Sequence, residues 1–164
     1  MNSGDKIVSV EVLGRKIEDA HKRGKTVVLA NGIFDLLHAG HVRYLEAARR
    51  EGDVLVVAIN SDASARHSKG PGRPILDERA RAELVAALAA VDSVVIFPEF
   101  NVEQLLERLR PDVHAKGTDY TPETVPERAV AARLGIRVAI AGDPKQHSTS
   151  DLFSRIRSAA RPHP

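Results

Sequence analysis

Ala30-Asn31-Gly32-Ile33-Phe34-Asp35-Leu36-Leu37-His38-Ala39-Gly40-His41 decides the fold. Immediately before it, residues 26–30 form a short apolar run rich in β-branched side chains, which reads as a buried strand. Immediately after it, Val42, Leu45 and Ala48 recur at helical spacing until Gly52. The stretch is therefore a strand-to-helix turn, with Gly32 and Gly40 where the backbone must bend or approach something closely. His38 and His41 fall where the helix begins. A helix start carries unpaired N–H groups and the positive end of the dipole, so it favours an anion. Imidazoles placed there extend that site with donors able to reach a phosphate.

Working outward, residues 8–23 carry Val12, Leu13, Ile17 and Ala20 among charges, the pattern of an amphipathic helix. Residues 53–59 are a nearly continuous apolar strand, as in a sheet buried on both faces, and end in Asn60-Ser61-Asp62. Residues 63–75, with Arg66, His67, Lys69 and Arg73 around a Gly-Pro-Gly, read as a basic flexible loop. A helix over 77–90, a strand over 93–97 and a helix over 101–109 stopped by Pro111 follow. A strand over 112–115 leads into Lys116-Gly117-Thr118-Asp119-Tyr120. A helix over 125–134, closed by Gly135, precedes a strand over 136–140. Ser148-Thr149-Ser150-Asp151 caps a last helix bearing Leu152, Phe153 and Ile156, and residues 161–164 form a frayed tail. Strand alternates with helix five times, which predicts a doubly wound α/β fold with five parallel strands. Ligands of such sheets sit beyond the C-terminal strand ends, where strand order reverses.

Composition narrows the function. The 164 residues suit one domain, with its core over about 24–158 and an N-terminal helix within 1–23. At 43% hydrophobic and 28% charged the chain falls in the soluble globular class. A net charge of +2 gives no argument for nucleic acid or a membrane surface as partner. Without cysteine there are neither disulfides nor thiolate metal sites. No apolar run approaches the roughly 20 residues of a spanning helix, and the first residues lack the apolar core of a signal peptide, so a cytoplasmic location is expected.

Taken together, Asn31-Gly-x-Phe-Asp-x-x-His38-x-Gly-His41, Lys69, Lys116-Gly-x-Asp119-Tyr120 and Ser148-Thr149-Ser150 resemble the cytidylyltransferase-like nucleotidyltransferases. Within them the pattern is most similar to the heptose-1-phosphate adenylyltransferases of bacterial surface-polysaccharide synthesis. The resemblance covers about residues 24–158 and implies a Rossmann-like sheet with an HxGH turn. It implies transfer of AMP from ATP to a heptose 1-phosphate with release of pyrophosphate, a chemistry of positioning and charge neutralisation. His38, His41 and Lys69 would be the catalytic groups, the histidines donating to the α- and β-phosphate oxygens. Asn31, Gly32, Phe34, Gly40, Asn60, Asp62, Lys116, Gly117, Asp119, Ser148, Thr149 and Ser150 would bind nucleotide and phosphate, and Arg81 the substrate. No metal ligands are expected on the protein; Mg²⁺ would be held mainly by the phosphates. Asp35 either orients a histidine or supports the metal through water. Many relatives are fused to a sugar kinase; here that activity is expected from another chain, and a homodimer is expected.

Three departures from the family pattern bear on the site. Arg79 stands where relatives have a glutamate, Thr118 replaces a glycine, and Ser150 replaces a threonine. Simple helix capping or a metal pair with Asp35 is the plainer reading of the two histidines, and packing that of Phe34. His114 and His147 read as structural. Competing functions are the same chemistry on glycerol 3-phosphate with CTP, and a non-catalytic nucleotide sensor. A dinucleotide-binding oxidoreductase is disfavoured, since no Gly-x-Gly-x-x-Gly follows the first strand.

Overall fold

In the computed structural model, which describes residues 2–144 and 149–160, β1 (Val27–Gly32) runs through the middle of a five-stranded sheet. The other strands are β2 (Val54–Asn60), β3 (Ser93–Phe97), β4 (Val113–Gly117) and β5 (Arg137–Ala141), in the order β3-β2-β1-β4-β5. All pairings are parallel. The order reverses between β1 and β4. There, pairing stops at Ala30 with Ala115, whereas β1 and β2 stay paired as far as Gly32 with Ile59. The two central strands part at their C-terminal ends, and a crevice opens between them.

Helices cover both faces because both faces of the strands are apolar. On one side, α3 (Ala39–Arg49) and α5 (Glu78–Ala86) pack Leu45, Ala48, Ala82 and Val85 against Val28, Ala30, Leu55 and Val57. On the other, α2 (Val10–Lys22), α6 (Glu103–Leu109) and α7 (Arg128–Leu134) pack Leu13, Ile17, Leu106 and Ala131 against Val27, Leu29, Val56 and Val95. Each fully buried Leu or Ile contributes about 1.5–3 kcal/mol. The predicted Rossmann-like parallel sheet is therefore the observed one, with strand ends shifted by one or two residues.

Two elements differ from expectation. The basic loop predicted over 63–75 is helical in its first half: α4 spans Asp62–Lys69, with Ser61 accepting a hydrogen bond from the Ser64 amide at 3.2 Å. Its buried side is only Ser64 and Ala65, too small a stripe to register as helical periodicity. At the N-terminus, a one-turn α1 (Ser3–Lys6) precedes α2, and Ile7 forms a parallel bridge to Val94 beside β3. The Lys6 ammonium ties this segment down by donating to the carbonyls of Leu88 (3.2 Å) and Val91 (2.7 Å). The last helix, α8, covers Thr149–Ala159; the expected tail at 161–164, and also His147 and Ser148, lie outside the described residues.

Candidate active site

The turn after β1 is built by three side chains that fold back on it. Phe34 adopts a left-handed backbone (φ 52°), a conformation that costs a non-glycine residue energy and is often found at functional turns. Its buried ring lies over Gly32, where a Cβ would come within 3.0 Å of it, so a side chain at 32 would displace the ring. The same ring meets His41 edge-on, with centroids 5.1 Å apart. Phe34 thus acts by packing, and through that packing it places His41.

His38 is the N-cap of α3, its Nδ1 accepting from the Gly40 amide at 3.1 Å. The proton of a neutral His38 must then reside on Nε2, which makes that atom a donor. The His38 and His41 rings stack with centroids 3.9 Å apart and planes 24° from parallel. The amides of His41 and Val42 turn back to the His38 carbonyl at 2.9 and 3.3 Å. So the N–H groups expected to stand open at this helix start are partly used in closing the cap.

Asp35 is buried, and its carboxylate accepts from Arg73 Nε (2.7 Å), the Ile75 amide (2.7 Å) and the Leu76 amide (3.1 Å). It docks residues 73–76 onto the turn, a role different from both that were anticipated. Arg73 lies in turn 4.2 Å from the centre of the Phe153 ring on α8, a cation–π contact linking that segment to the last helix.

Above the turn is a cavity of about 600 Å³ at the C-terminal edge of the sheet. Asn31, Gly32, Phe34, His38, Gly40 and His41 line its middle. Asn60 and Lys69 line the side nearest β2 and β3, beside Phe100, whose exposed ring rests on His67 with centroids 4.3 Å apart. Lys116, Gly117, Asp119, Thr149 and Ser150 line the side nearest β4 and β5. The fold thus gathers into one cavity residues that the sequence scatters from 31 to 150.

Two of the anticipated binding residues stand elsewhere. Arg81 is 0% exposed, and its guanidinium donates to the Leu76 carbonyl (3.0 Å), the Ile33 carbonyl (2.6 Å) and Asp62 Oδ1 (2.7 Å). Neither Arg81 nor Asp62 lines the cavity; together they brace the turn from below. The Asp62 amide also donates to Glu78 Oε2 at 2.8 Å, so the acidic partner on α5 is Glu78, one residue before Arg79. A buried guanidinium with this many partners is a structural clamp rather than a contact for substrate.

Sequence reading passed over Glu127, Tyr44 and Gly142 here, and took His114 as structural. Glu127, at the N-cap of α7, is buried on the cavity wall, and its carboxylate stands 3.3 Å from the Lys116 ammonium. That ammonium also lies 4.8 Å from the Tyr120 ring centre, so Lys116 is held from two sides. Tyr44 on α3 donates its hydroxyl to the Ala115 carbonyl at 2.8 Å, and burial pushes its phenol pKa up. Gly142, at φ +100°, brings the end of β5 to 3.3 Å of Tyr44 Cα (measured from where a Cβ would stand), which no larger residue tolerates easily. His114 is buried, and its Nε2 meets Asn31 Oδ1 at 2.9 Å. Of these only His114, a polar residue within a buried strand, carried a local signal.

Among the described residues no group of three or more histidine, aspartate or glutamate side chains is placed to hold a metal ion. Nor, among them, is any helix long and apolar enough to cross a membrane.

Comparison with known proteins fits this geometry. The family described as Cytidylyltransferase-like matches residues 29–154, which contain all of the sheet but the first two residues of β1, and every described wall of the cavity. The chain belongs to the cytidylyltransferase-like family. It is thereby a nucleotidyltransferase by class. Among relatives of this family, the bifunctional protein HldE of Syntrophotalea carbinolica is 49% identical over 146 residues, 89% of this chain and 30% of that protein. The bifunctional protein HldE of Azotobacter vinelandii is 46% identical over 151 residues, 92% of this chain and 32% of that one. The chain therefore spans about a third of the length of these relatives. The crystal structure of the lipopolysaccharide core biosynthesis protein from Thermoplasma volcanium superposes with a TM-score of 0.64 at 28% identity. The match takes in 74% of this chain and 100% of that one.

Proposed function

We propose that this cytidylyltransferase-like chain transfers AMP from ATP to a heptose 1-phosphate, forming a nucleotide-activated heptose for surface polysaccharide and releasing pyrophosphate. The observation that carries the reading is the stacked His38–His41 pair at the start of α3, opening into a cavity flanked by Lys69 and Lys116. In the reaction a phosphate oxygen of the acceptor bonds to the α-phosphorus as the bond from that phosphorus to the pyrophosphate oxygen breaks. No proton transfer is required, and negative charge gathers on the α- and β-phosphate oxygens. Nε2–H of His38 and the His41 ring supply donors where that charge grows, and the two lysines neutralise it from either side. Asn60, Lys116, Asp119, Thr149 and Ser150 line the same cavity and would bind the nucleotide and its phosphates. The choice of heptose and ATP is supported by the likeness to the HldE relatives, over most of this chain's length.

Mg²⁺ is required in this reading as a companion of the triphosphate. Asp35 offers it little, since its oxygens already take three donors. The ion would be bound by phosphate oxygens, neutralising the leaving pyrophosphate. The enzyme would act in the cytoplasm, where ATP is supplied, as a homodimer.

Pyrophosphate release with Mg²⁺, crossing four nucleoside triphosphates against heptose 1-phosphates and glycerol 3-phosphate, tests the proposal. Turnover confined to ATP with a heptose 1-phosphate is the expected result. Turnover with CTP and glycerol 3-phosphate would move the substrates and keep the mechanism. Nucleotide binding without turnover anywhere on the grid would refute the transfer reaction and favour a sensor.

A further inference from the structure

The His114–Asn31 contact lies at the point where the ligand crevice opens. Leu29 is paired with His114 and Ala30 with Ala115, and beyond that β1 and β4 have no further backbone pairing. Alternation along a strand puts Leu29 and Asn31 on the same face, and His114 on the matching face of β4. The His114 side chain reaches diagonally across the gap to Asn31, residues 83 positions apart in the chain. It is the next link between the strands after their last backbone pair. The opposite face of β4 is held at the same level by the hydroxyl of Tyr44 on the Ala115 carbonyl.

The chemistry of this link has a direction. His114 is 0% exposed, and burial, with the nearby Lys116 ammonium adding to it, lowers its pKa to about 3, so the ring is neutral. Its Nδ1 is buried with no hydrogen-bond partner among the described residues. A proton on Nδ1 would be an orphaned buried donor, whereas a bare Nδ1 lone pair is tolerated at smaller cost. The proton therefore sits on Nε2 and is donated to Asn31 Oδ1. An amide whose oxygen is captured in this way has only its NH₂ left to present, and Asn31 lines the cavity.

We propose that His114 is a positioning residue: across the β1–β4 gap it fixes the Asn31 amide with its NH₂ facing the cavity, as a donor to a phosphate or ribose oxygen of the nucleotide. The inference rests on reading the cavity as the nucleotide site. It adds a residue from β4, outside the conspicuous turn, to the apparatus that recognises the triphosphate substrate. A rotated amide would present its oxygen to phosphate oxygens and repel them, so the side chain must be held one way round.

The test uses the whole chain with ATP·Mg²⁺ as probe. His114→Phe keeps an aromatic ring without the donor; His114→Gln keeps an N–H at comparable reach. Calorimetric ATP affinity should fall about tenfold in His114→Phe, the scale of one lost hydrogen bond to a charged ligand, and return to within about threefold of wild type in His114→Gln. The KM for the acceptor should stay unchanged in both. His114→Phe with Asn31→Ala should bind ATP no more weakly than Asn31→Ala alone, because the two act as one device. Long-range ¹⁵N–¹H spectra of the wild type should show His114 protonated on Nε2 alone at neutral pH, a readout that stands even where His114→Phe fails to fold. ATP affinity indifferent to His114→Phe, or a proton found on Nδ1, would overturn the proposal. Turnover preserved in that case would leave the transfer reaction standing. Conversely, His114-dependent ATP binding without turnover on any acceptor would remove the reaction and keep the positioning role.

Discussion

Acidification should weaken this protein through His114 before it touches the carboxylates. The side chain is fully buried, with its pKa lowered from 6.5 to about 3, chiefly by desolvation and further by Lys116. Below the ordinary value the unfolded chain takes up a proton here that the folded chain refuses. The stabilising contribution is thus complete above about pH 6.5 and is lost as pH falls towards the folded value. At about 1.4 kcal/mol per pH unit within that window, lowering the pH from about 7 to about 5 removes roughly 2 kcal/mol. That is a large share of the typical stability of a domain, about 5–15 kcal/mol. Urea unfolding of wild type and His114→Phe at both pH values would measure it. The variant's own cost in packing cancels, because only the change with pH is compared, and the other histidines contribute equally to both proteins. Wild type should lose roughly 2 kcal/mol more than His114→Phe over this range. Parallel losses in the two proteins would refute the neutral, buried histidine and the tautomer argument built on it.

Other outcomes follow from the turn and its supports. His41→Ala should lower turnover by about two orders of magnitude or more with little change in thermal stability, since in the proposed reaction its ring donates to phosphate oxygens while His38 is the N-cap of α3; near-normal steady-state rates would refute its role. His38→Ala should lose turnover and also about 1 kcal/mol of stability, because its Nδ1 caps α3; denaturant curves separate the two effects. Lys69→Ala should slow catalysis and leave far-UV circular dichroism intact, as Lys69 is an exposed residue at the end of α4. Arg81→Met should cost about 3–5 kcal/mol by stranding Asp62 and the Ile33 and Leu76 carbonyls. Wild-type stability with a raised acceptor KM in that variant would restore Arg81 as a substrate contact.

Much of this architecture could be read directly from residue order. Most strands are short runs rich in Val, Leu, Ile and Ala whose burial follows from composition, and the longer helices recur at their own period. Alternation of the two, together with the right-handed crossover, leaves few arrangements besides a parallel sheet. The histidine turn was legible because Gly32, Phe34, His38, Gly40 and His41 lie within ten residues, so their spacing survives in one dimension. Helix α4 was not legible, because its two small buried residues make no apolar stripe. Arg81 misled for a related reason: an arginine in a motif position looks alike whether it faces ligand or backbone, and only its burial tells them apart.

By itself, then, the sequence determined the layering, the strand-to-helix turn and the kinds of side chain gathered at the sheet's edge, because these depend on near neighbours and hydrophobic period. Tertiary structure alone decided which of those side chains face the cavity. Asp35 is claimed by a segment about 40 residues downstream, Arg81 by a carbonyl 48 residues upstream, and Asn31 by a histidine 83 residues away. Such partnerships depend on where the sheet brings strand ends together. That placement is set by long-range packing and by the reversal of strand order between β1 and β4, which no local pattern of residues encodes.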